Sequence, residues 1–355
     1  MKAATVVSCL AALANGAAIN LAKRAEPLEV KIEQVGNSEL RASITNTGST
    51  PLRVLKAGSI LDGSPVEKAQ ISMSSTDGVS RVAFTGVRVY VHDADLPDTA
   101  FRTIDAGEVV HVQWDTAQVH DLSTGGDYNI SSTGSLRYAD EGSNKIVGQV
   151  VFDSGVLHAN VDGRQAATVH AAFHESLNAK RVTVQGDCTG SKKTAVANAL
   201  GKAKSYAAAA QTAATAGTRL QQYFRSTTSG TKTAVAGVFG KAAALLGSTS
   251  SGAGLYCTDV GDFCGDGVVA YAQPGSNGYI VVCDYWFQFP ASGGACHAAD
   301  QPYVLVHEST HLSEVGGTDD VCYGYAGCVD SLGTSQALNN ADSFAMYASG
   351  IQTNC

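Results

Sequence analysis

Two patterns of apolar and polar positions divide this chain. Up to about residue 175 the apolar residues come in short alternating runs. Leu28-Glu29-Val30-Lys31-Ile32-Glu33 alternates apolar and charged side chains, Val87-Arg88-Val89-Tyr90-Val91 does the same, and a third run covers 109–114. A period of two sends one set of side chains to a core and the other to water, which predicts half-buried strands. Asn46-Thr47-Gly48 and Asp62-Gly63 are turn signals between runs, and short strands at this spacing predict a β-sandwich. Farther along the period becomes helical. Residues 191–214 are rich in Ala and Lys, with Val196, Leu200 and Tyr206 at helical spacing; a shorter helix is expected over 218–225, and a third over 231–246 with Val235, Val238 and Phe239. Short apolar runs at 255–257, 268–271 and 279–283 predict a small antiparallel sheet, with 274–278 as a hairpin turn. Another helix is expected from about Asp300, and a last one over about 335–349 carrying Asp342, Phe344 and Tyr347. The second half is therefore expected to be a mainly helical α+β domain.

Length and composition sharpen this division. A chain of 355 residues suggests two domains rather than one. Charged residues make up only 16%, glycines number 38, and the net charge of -8 argues against nucleic acid as a partner. Residues 1–18 have a positive start at Lys2, an apolar stretch, and small residues at Gly16-Ala17-Ala18, which predicts a secretory signal peptide. That stretch is too short to span a bilayer. No later apolar run reaches spanning length, so a secreted protein free of the membrane is expected. Cysteine usage agrees. Cys9 would leave with the signal, and the eight that remain are Cys188, Cys257, Cys264, Cys283, Cys296, Cys322, Cys328 and Cys355. An even number in an exported chain implies disulfides, among about a hundred pairings.

Lys180-Arg181 is a dibasic pair where the β-rich pattern gives way to the Ala-rich one. It reads as the site of a processing protease on an exposed loop, although Lys23-Arg24 shows that such pairs recur. The expected organisation is a signal peptide, 1–18, a β-rich propeptide, 19–181, and a catalytic domain, 182–355. Asn129-Ile130-Ser131 is a glycosylation sequon, expected on a surface loop.

The segment 303–324, YVLVHESTHLSEVGGTDDVCYG, carries the chemistry. Its His307-Glu308-Ser309-Thr310-His311 is an HExxH pattern. On a helix, residues four apart share a face. Two such imidazoles can grip one zinc ion, and Glu308 can act as general base on water. Gly316-Gly317 ends the helix. A third ligand is needed for a catalytic zinc. From the residues alone it stays divided among Asp320, Asp319 and Asp330, with Glu314 poorly placed in the same helical run. His170 and His174 are also four apart, but without a neighbouring Glu they read as solvated side chains. His297 reads as a structural or substrate-side residue.

HExxH followed by GTxDxxYG resembles the deuterolysin family of fungal secreted zinc peptidases. Gly317-Thr318-Asp319-Asp320-Val321-Cys322-Tyr323-Gly324 matches the second element in full. The resemblance implies a zincin-type catalytic domain with one zinc ion on His307, His311 and Asp320, and Asp319 as the variable position. It implies that Glu308 is the base and that Tyr323 points its hydroxyl at the substrate carbonyl. It also implies a zymogen whose propeptide is removed, and disulfides Cys188–Cys257, Cys264–Cys283 and Cys296–Cys355, leaving Cys322 and Cys328 for each other. For Asp342 three readings stay open: a hydrogen bond to a ligand histidine, a place in the substrate-binding pocket, or a plain surface acid.

The last third of the chain adds one charge feature. After Lys241 there is no Lys or Arg, while eleven acids follow. A single-sign field attracts oppositely charged ligands, and the resemblance implies basic, histone- or protamine-like protein substrates. The expected function is a secreted, monomeric zinc endopeptidase. Its alternative is a secreted non-catalytic zinc-containing binding protein with a β-sandwich adhesive domain.

Overall fold

Alternation in the first half builds two sheets that share their apolar faces. In a computed structural model of the protein, the described residues are 27–75, 78–93, 96–181, 186–247, 254–275, 278–293 and 295–355. The first sheet is antiparallel, with order β1-β2-β8 from β1 (Leu28–Gln34), β2 (Glu39–Asn46) and β8 (Val109–Asp115). The second has order β5-β4-β9-β3-β7, made of β3 (Leu52–Leu55), β4 (Gln70–Ser75), β5 (Gly78–Arg81), β7 (Phe101–Ile104) and β9 (Gly126–Ala139). The long β10 (Ile146–Val161) also pairs with β9. Val30, Ile44 and Val110 from the first sheet pack with Val54, Ile104 and Leu136 from the second. Burying such side chains gives each about 1.5–3 kcal/mol of stabilisation.

Helix α1 (Gly163–Arg181) follows. It contains the dibasic pair at its C-terminal end rather than on a loop, and residues 182–185 beyond it lie outside the described residues. The expected signal peptide also lies outside them.

In the second half, α2 (Gly190–Ala216) buries Ala199, Ala203, Ala207, Ala210 and Ala214 along one face. Small side chains there let α4 (Ser229–Gly247) and α5 (Gln301–His311) approach closely. The short α3 (Leu220–Phe224) inserts Tyr223 and Phe224 into the same core. One sheet backs α5, in the order β11-β13-β12-β6: β11 (Gly254–Tyr256), β13 (Tyr279–Val282), β12 (Val268–Gln273) and β6 (Arg88–Val91). This sheet differs from the expectation in two ways. β11 runs parallel to β13, so the sheet is mixed rather than antiparallel throughout. Its outer strand, β6, comes from the first half of the chain and pairs antiparallel with β12. That pairing explains why the alternating run around Arg88 is not half exposed: all four residues of β6 are buried.

The expected last helix is broken in two, α7 (Thr334–Leu338) and α8 (Ala341–Thr353), with α6 (Tyr325–Ser331) before them. Asn340 causes the break. Its Oδ1 accepts from the backbone N–H groups of Val321 and Cys322 at 2.9 and 3.2 Å, and its extended backbone cannot continue a helix.

Four disulfides join Cys188–Cys257, Cys264–Cys283, Cys296–Cys355 and Cys322–Cys328. Among the described residues no helix is long and apolar enough to cross a membrane.

Candidate metal centre

Helix α5 is buried at every one of its 11 residues, and its start is fixed by capping. Asp300 accepts from the Tyr303 backbone N–H at 2.8 Å, satisfying a donor the helix leaves free, while Tyr206 Oη holds the other carboxylate oxygen at 2.9 Å. The far end turns sharply. The N–H groups of Gly316 and Gly317 both reach the Leu312 carbonyl at 3.1 Å, and Gly317 takes φ 59°, a conformation glycine adopts freely. The chain then doubles back. Thr318 N–H donates to the Thr310 carbonyl at 3.1 Å and the two threonine hydroxyls lie 2.8 Å apart. This return places Asp320 over the two histidines.

Three ligand-type atoms then form a triangle. His307 Nε2 lies 3.1 Å from His311 Nε2, and Asp320 Oδ1 lies 3.1 and 3.4 Å from those nitrogens. A tetrahedral ion with bonds of about 2.0–2.1 Å spaces its ligands about 3.3 Å apart, so the triangle has the dimensions of one face of a zinc site. Asp320 Oδ1 is buried and makes no well-formed hydrogen bond. The other ring nitrogens are engaged: His311 Nδ1 lies 2.8 Å from the Thr318 carbonyl, and His307 Nδ1 3.2 Å from Asp342 Oδ1. A proton on each Nδ1 leaves each Nε2 lone pair free for a metal. The residues present therefore fit a cation of this kind.

Both carboxylate oxygens of Glu308, beside this triangle, are buried without a hydrogen-bond partner. Burial pushes the Glu308 carboxyl well above its usual range, with His307 pulling it down and Asp320 adding to the rise. Burial lowers the proton affinity of His307, but the Asp320 and Asp342 carboxylates outweigh it and raise this imidazole to about 10. Protons and a metal ion therefore compete for this nitrogen.

Tyr323 Oη donates to the Val89 carbonyl at 3.1 Å, and its ring faces that of His307 at 6.1 Å. Asp319, adjacent to Asp320, points the other way. It receives Arg88 at 2.5 Å and Arg81 at 2.9 Å from the first half of the chain, and Asn339 at 2.6 Å. Asp330 is exposed on α6, 3.8 Å from Arg225, and Glu314 is exposed as well. Of the acids left open by spacing, Asp320 alone joins the histidines.

A family model described as the deuterolysin metalloprotease (M35) family matches residues 1–355. A neutral protease 2 homolog from Colletotrichum graminicola is 42% identical over 361 residues, covering 100% of both chains. The chain belongs to the deuterolysin metalloprotease family. A second relative, a neutral protease 2 homolog from Pyricularia oryzae, is 40% identical over 352 residues, covering 99% of this chain and 98% of its own. A solved zinc peptidase from Grifola frondosa is 27% identical, covering 46% of this chain and 97% of that one, with a TM-score of 0.39. As a deuterolysin-family member the protein is a metallopeptidase acting on proteins, and the non-catalytic alternative is not favoured.

Other residues singled out in the sequence lie as follows. Asp342 uses both oxygens internally: Oδ1 accepts from Tyr303 Oη at 2.6 Å beside His307, and Oδ2 accepts from the Gly324 N–H at 2.6 Å. Its placement suits orienting His307 rather than lining a substrate pocket, because neither oxygen is left over. Cys322–Cys328 closes the loop that holds Tyr323. His297 stacks on Tyr325 at 3.8 Å and meets Tyr223 Oη at 2.6 Å. Cys296 and Cys355 beside it are bonded to each other, so no thiolate cluster forms there. His170 and His174 are half-buried rather than solvated, with Thr85 Oγ1 at 3.4 and 3.0 Å. Asn129 sits in strand β9 rather than on a loop, its side-chain oxygen 2.7 Å from His158 Nδ1.

Several residues at this centre carry no local sequence signal. Tyr90 lies edge-on to His307, with ring centroids 4.8 Å apart. The Arg137 guanidinium covers the Tyr323 ring at 4.3 Å. Glu67 is buried between Arg88 and Arg81. Burial would raise Glu67, but the two guanidiniums outweigh it and hold the carboxyl at about 2. The alternating run over 87–91 marks the strand that carries Tyr90, but nothing local in the sequence brings that strand to the centre.

Proposed function

We propose that this protein is a secreted zinc endopeptidase made as a zymogen, with a β-sandwich propeptide over 19–181 and a zincin-type catalytic domain over 182–355. The observation that carries the reading is the triangle of His307 Nε2, His311 Nε2 and Asp320 Oδ1 with unpartnered Glu308 beside it. His307, His311 and Asp320 would hold one zinc ion. Bound there, zinc supplies Lewis acidity, making water a better nucleophile and the peptide carbonyl a better electrophile. Glu308 takes the proton from the attacking water and returns it to the leaving amine. Its isolation from other donors leaves both oxygens free for that exchange. Tyr323 donates its hydroxyl to the carbonyl oxygen as charge grows there. Asp342 holds the His307 ring by Nδ1.

The buried state of the centre supports the zymogen reading. His307, Glu308 and His311 are no more than 1% exposed, so a polypeptide substrate reaches them only after the covering chain moves. Lys180-Arg181 is the processing site in this account, cut by a protease specific for basic pairs. Four disulfides fit an exported enzyme. Acids without bases over 242–355 support a preference for basic proteins. Single-chain action as a monomer completes the reading.

The test is cleavage of a protamine-like protein by the processed enzyme, before and after chelation and with zinc added back. Loss of activity to the chelator and recovery with zinc support the assignment. A folded, zinc-loaded enzyme that cuts neither basic nor neutral proteins removes it.

A further inference from the structure

The strand that covers the metal centre is placed as a substrate would be. β6 is the outermost strand of the sheet behind α5 and pairs antiparallel with β12, with Arg88 opposite Ala272, Val89 opposite Tyr271 and Tyr90 opposite Ala270. Adding a strand to a sheet edge is a common way to hold an extended peptide, with backbone hydrogen bonds for affinity and side-chain pockets for choice. Three contacts go beyond strand addition. The Val89 carbonyl accepts from Tyr323 Oη at 3.1 Å, the hydroxyl assigned above to the scissile carbonyl. The next residue, Tyr90, sets its ring against the ligand His307 at 4.8 Å. The preceding residue, Arg88, reaches Asp319 at 2.5 Å, one residue from the ligand Asp320. Arg137 holds the strand in place by donating to the Val91 carbonyl at 3.2 Å while covering the Tyr323 ring.

We propose that Arg88–Val91 occupies the substrate groove in the direction and register of a substrate, and that Asp319 is the subsite for a basic side chain on the residue preceding the one whose carbonyl meets Tyr323. This rests on the peptidase reading above and makes its substrate class more specific. A basic protein is then preferred through a defined contact as well as through the overall acidic field. The same contact keeps the uncut chain latent, because the groove already holds an arginine and a carbonyl of its own. Asp319 is also met by Arg81 from the same half of the chain at 2.9 Å, so removal of that half takes away both guanidiniums and frees Oδ1, while Oδ2 keeps Asn339 at 2.6 Å.

The experiment uses the full-length chain carrying Lys180→Ala and Arg181→Ala, so that it stays in one piece, and Glu308→Gln, so that no peptide is consumed. Backbone hydrogen exchange of β12 is followed with β9 and β10 as internal controls. The expected result is slow exchange in β12, speeded at least about tenfold by Arg88→Glu, which sets like charges together, and less by Arg88→Met. A synthetic peptide of residues 85–93 should then restore protection to β12 in the Arg88→Glu chain. The same peptide with glutamate in place of Arg88 should not, and Asp319→Asn should erase the difference between the two peptides. If Arg88→Glu also loosens β9 and β10, the groove is open and the peptide comparison still decides. Unchanged β12 protection in Arg88→Glu, or equal protection by both peptides, overturns the proposal. Turnover is scored separately in a processed chain with Glu308 intact. Its absence removes the peptidase reading, while the protection results depend on the groove alone.

Discussion

Helix α5 and strand β6 are both buried along their whole length, but what buries them differs. The helix is enclosed mostly by its own half of the chain, between α2, α8 and β12, with β6 adding one side through Tyr90. The strand is enclosed by the other half, more than a hundred residues away, through Asp319, Tyr323 and β12. Most of the first burial is independent of the other half and makes a rigid ligand platform. The other lasts only while the two halves stay together. A site built this way can be accurate and closed at once, because rigidity and access are controlled by separate contacts.

The strongest way to break the helix side of this comparison is at its chemistry. In processed enzyme, Glu308→Gln should lower turnover by roughly 10²–10⁴-fold while keeping metal, since Glu308 moves protons and is not a ligand. Asp320→Ala should lose the metal too, as read by metal analysis. A Glu308→Gln enzyme with an ordinary rate would remove the base from the account. Next in size is Tyr323→Phe. Losing the donor to the developing oxyanion should cost about 10²–10³-fold in kcat with little change in KM, and a pure KM effect would assign Tyr323 to binding instead.

The strand side can be stressed by pH. Burial holds the His120 imidazole down at about 4 from an ordinary 6.5, although Glu67 pulls it up; Arg81 and Arg88 also face it, and the tilted Phe84 ring lies 5.6 Å away. The unfolded chain takes up a proton below about 6.5 that the folded site refuses until about 4. Stability of the β-rich half is therefore complete above that range and falls as the pH drops through it, by up to about 3 kcal/mol. Glu67, with its folded value at about 2, extends the loss below its ordinary 4.5. Thermal unfolding of the uncut protein between pH 7 and 4 measures this, and His120→Gln should flatten the profile. The smallest effect belongs to the support of the ligands. Asp342→Asn should weaken zinc binding about 10–100-fold, by loosening the His307 ring, and a competition assay with a chelator reads it.

The same contrast explains what the sequence could tell. The helix, its ligand histidines and Glu308 were legible because i and i+4 spacing is local. The turn that brings Asp320 back was signalled by Gly316-Gly317, but the choice among Asp319, Asp320 and Asp330 was not. It depends on the exact path of the return from Thr318 to Thr310, which sets Asp320 over the histidines and turns Asp319 towards Arg88, 231 positions away. The alternation around Val89 predicts a strand, which it is, yet alternation cannot say that both faces are covered or which sheet it joins. The break at Asn340 was invisible for a similar reason: its side chain caps the loop of Val321 and Cys322 rather than its own helix.

The most direct test of the central claim is an X-ray structure of the zinc-loaded protein with an anomalous difference map at the zinc edge. The account predicts one strong peak held by His307 Nε2, His311 Nε2 and Asp320, with no fourth protein side chain on the ion and Glu308 facing it without binding it. A peak closed by four protein ligands, or one located away from this triangle, would contradict it.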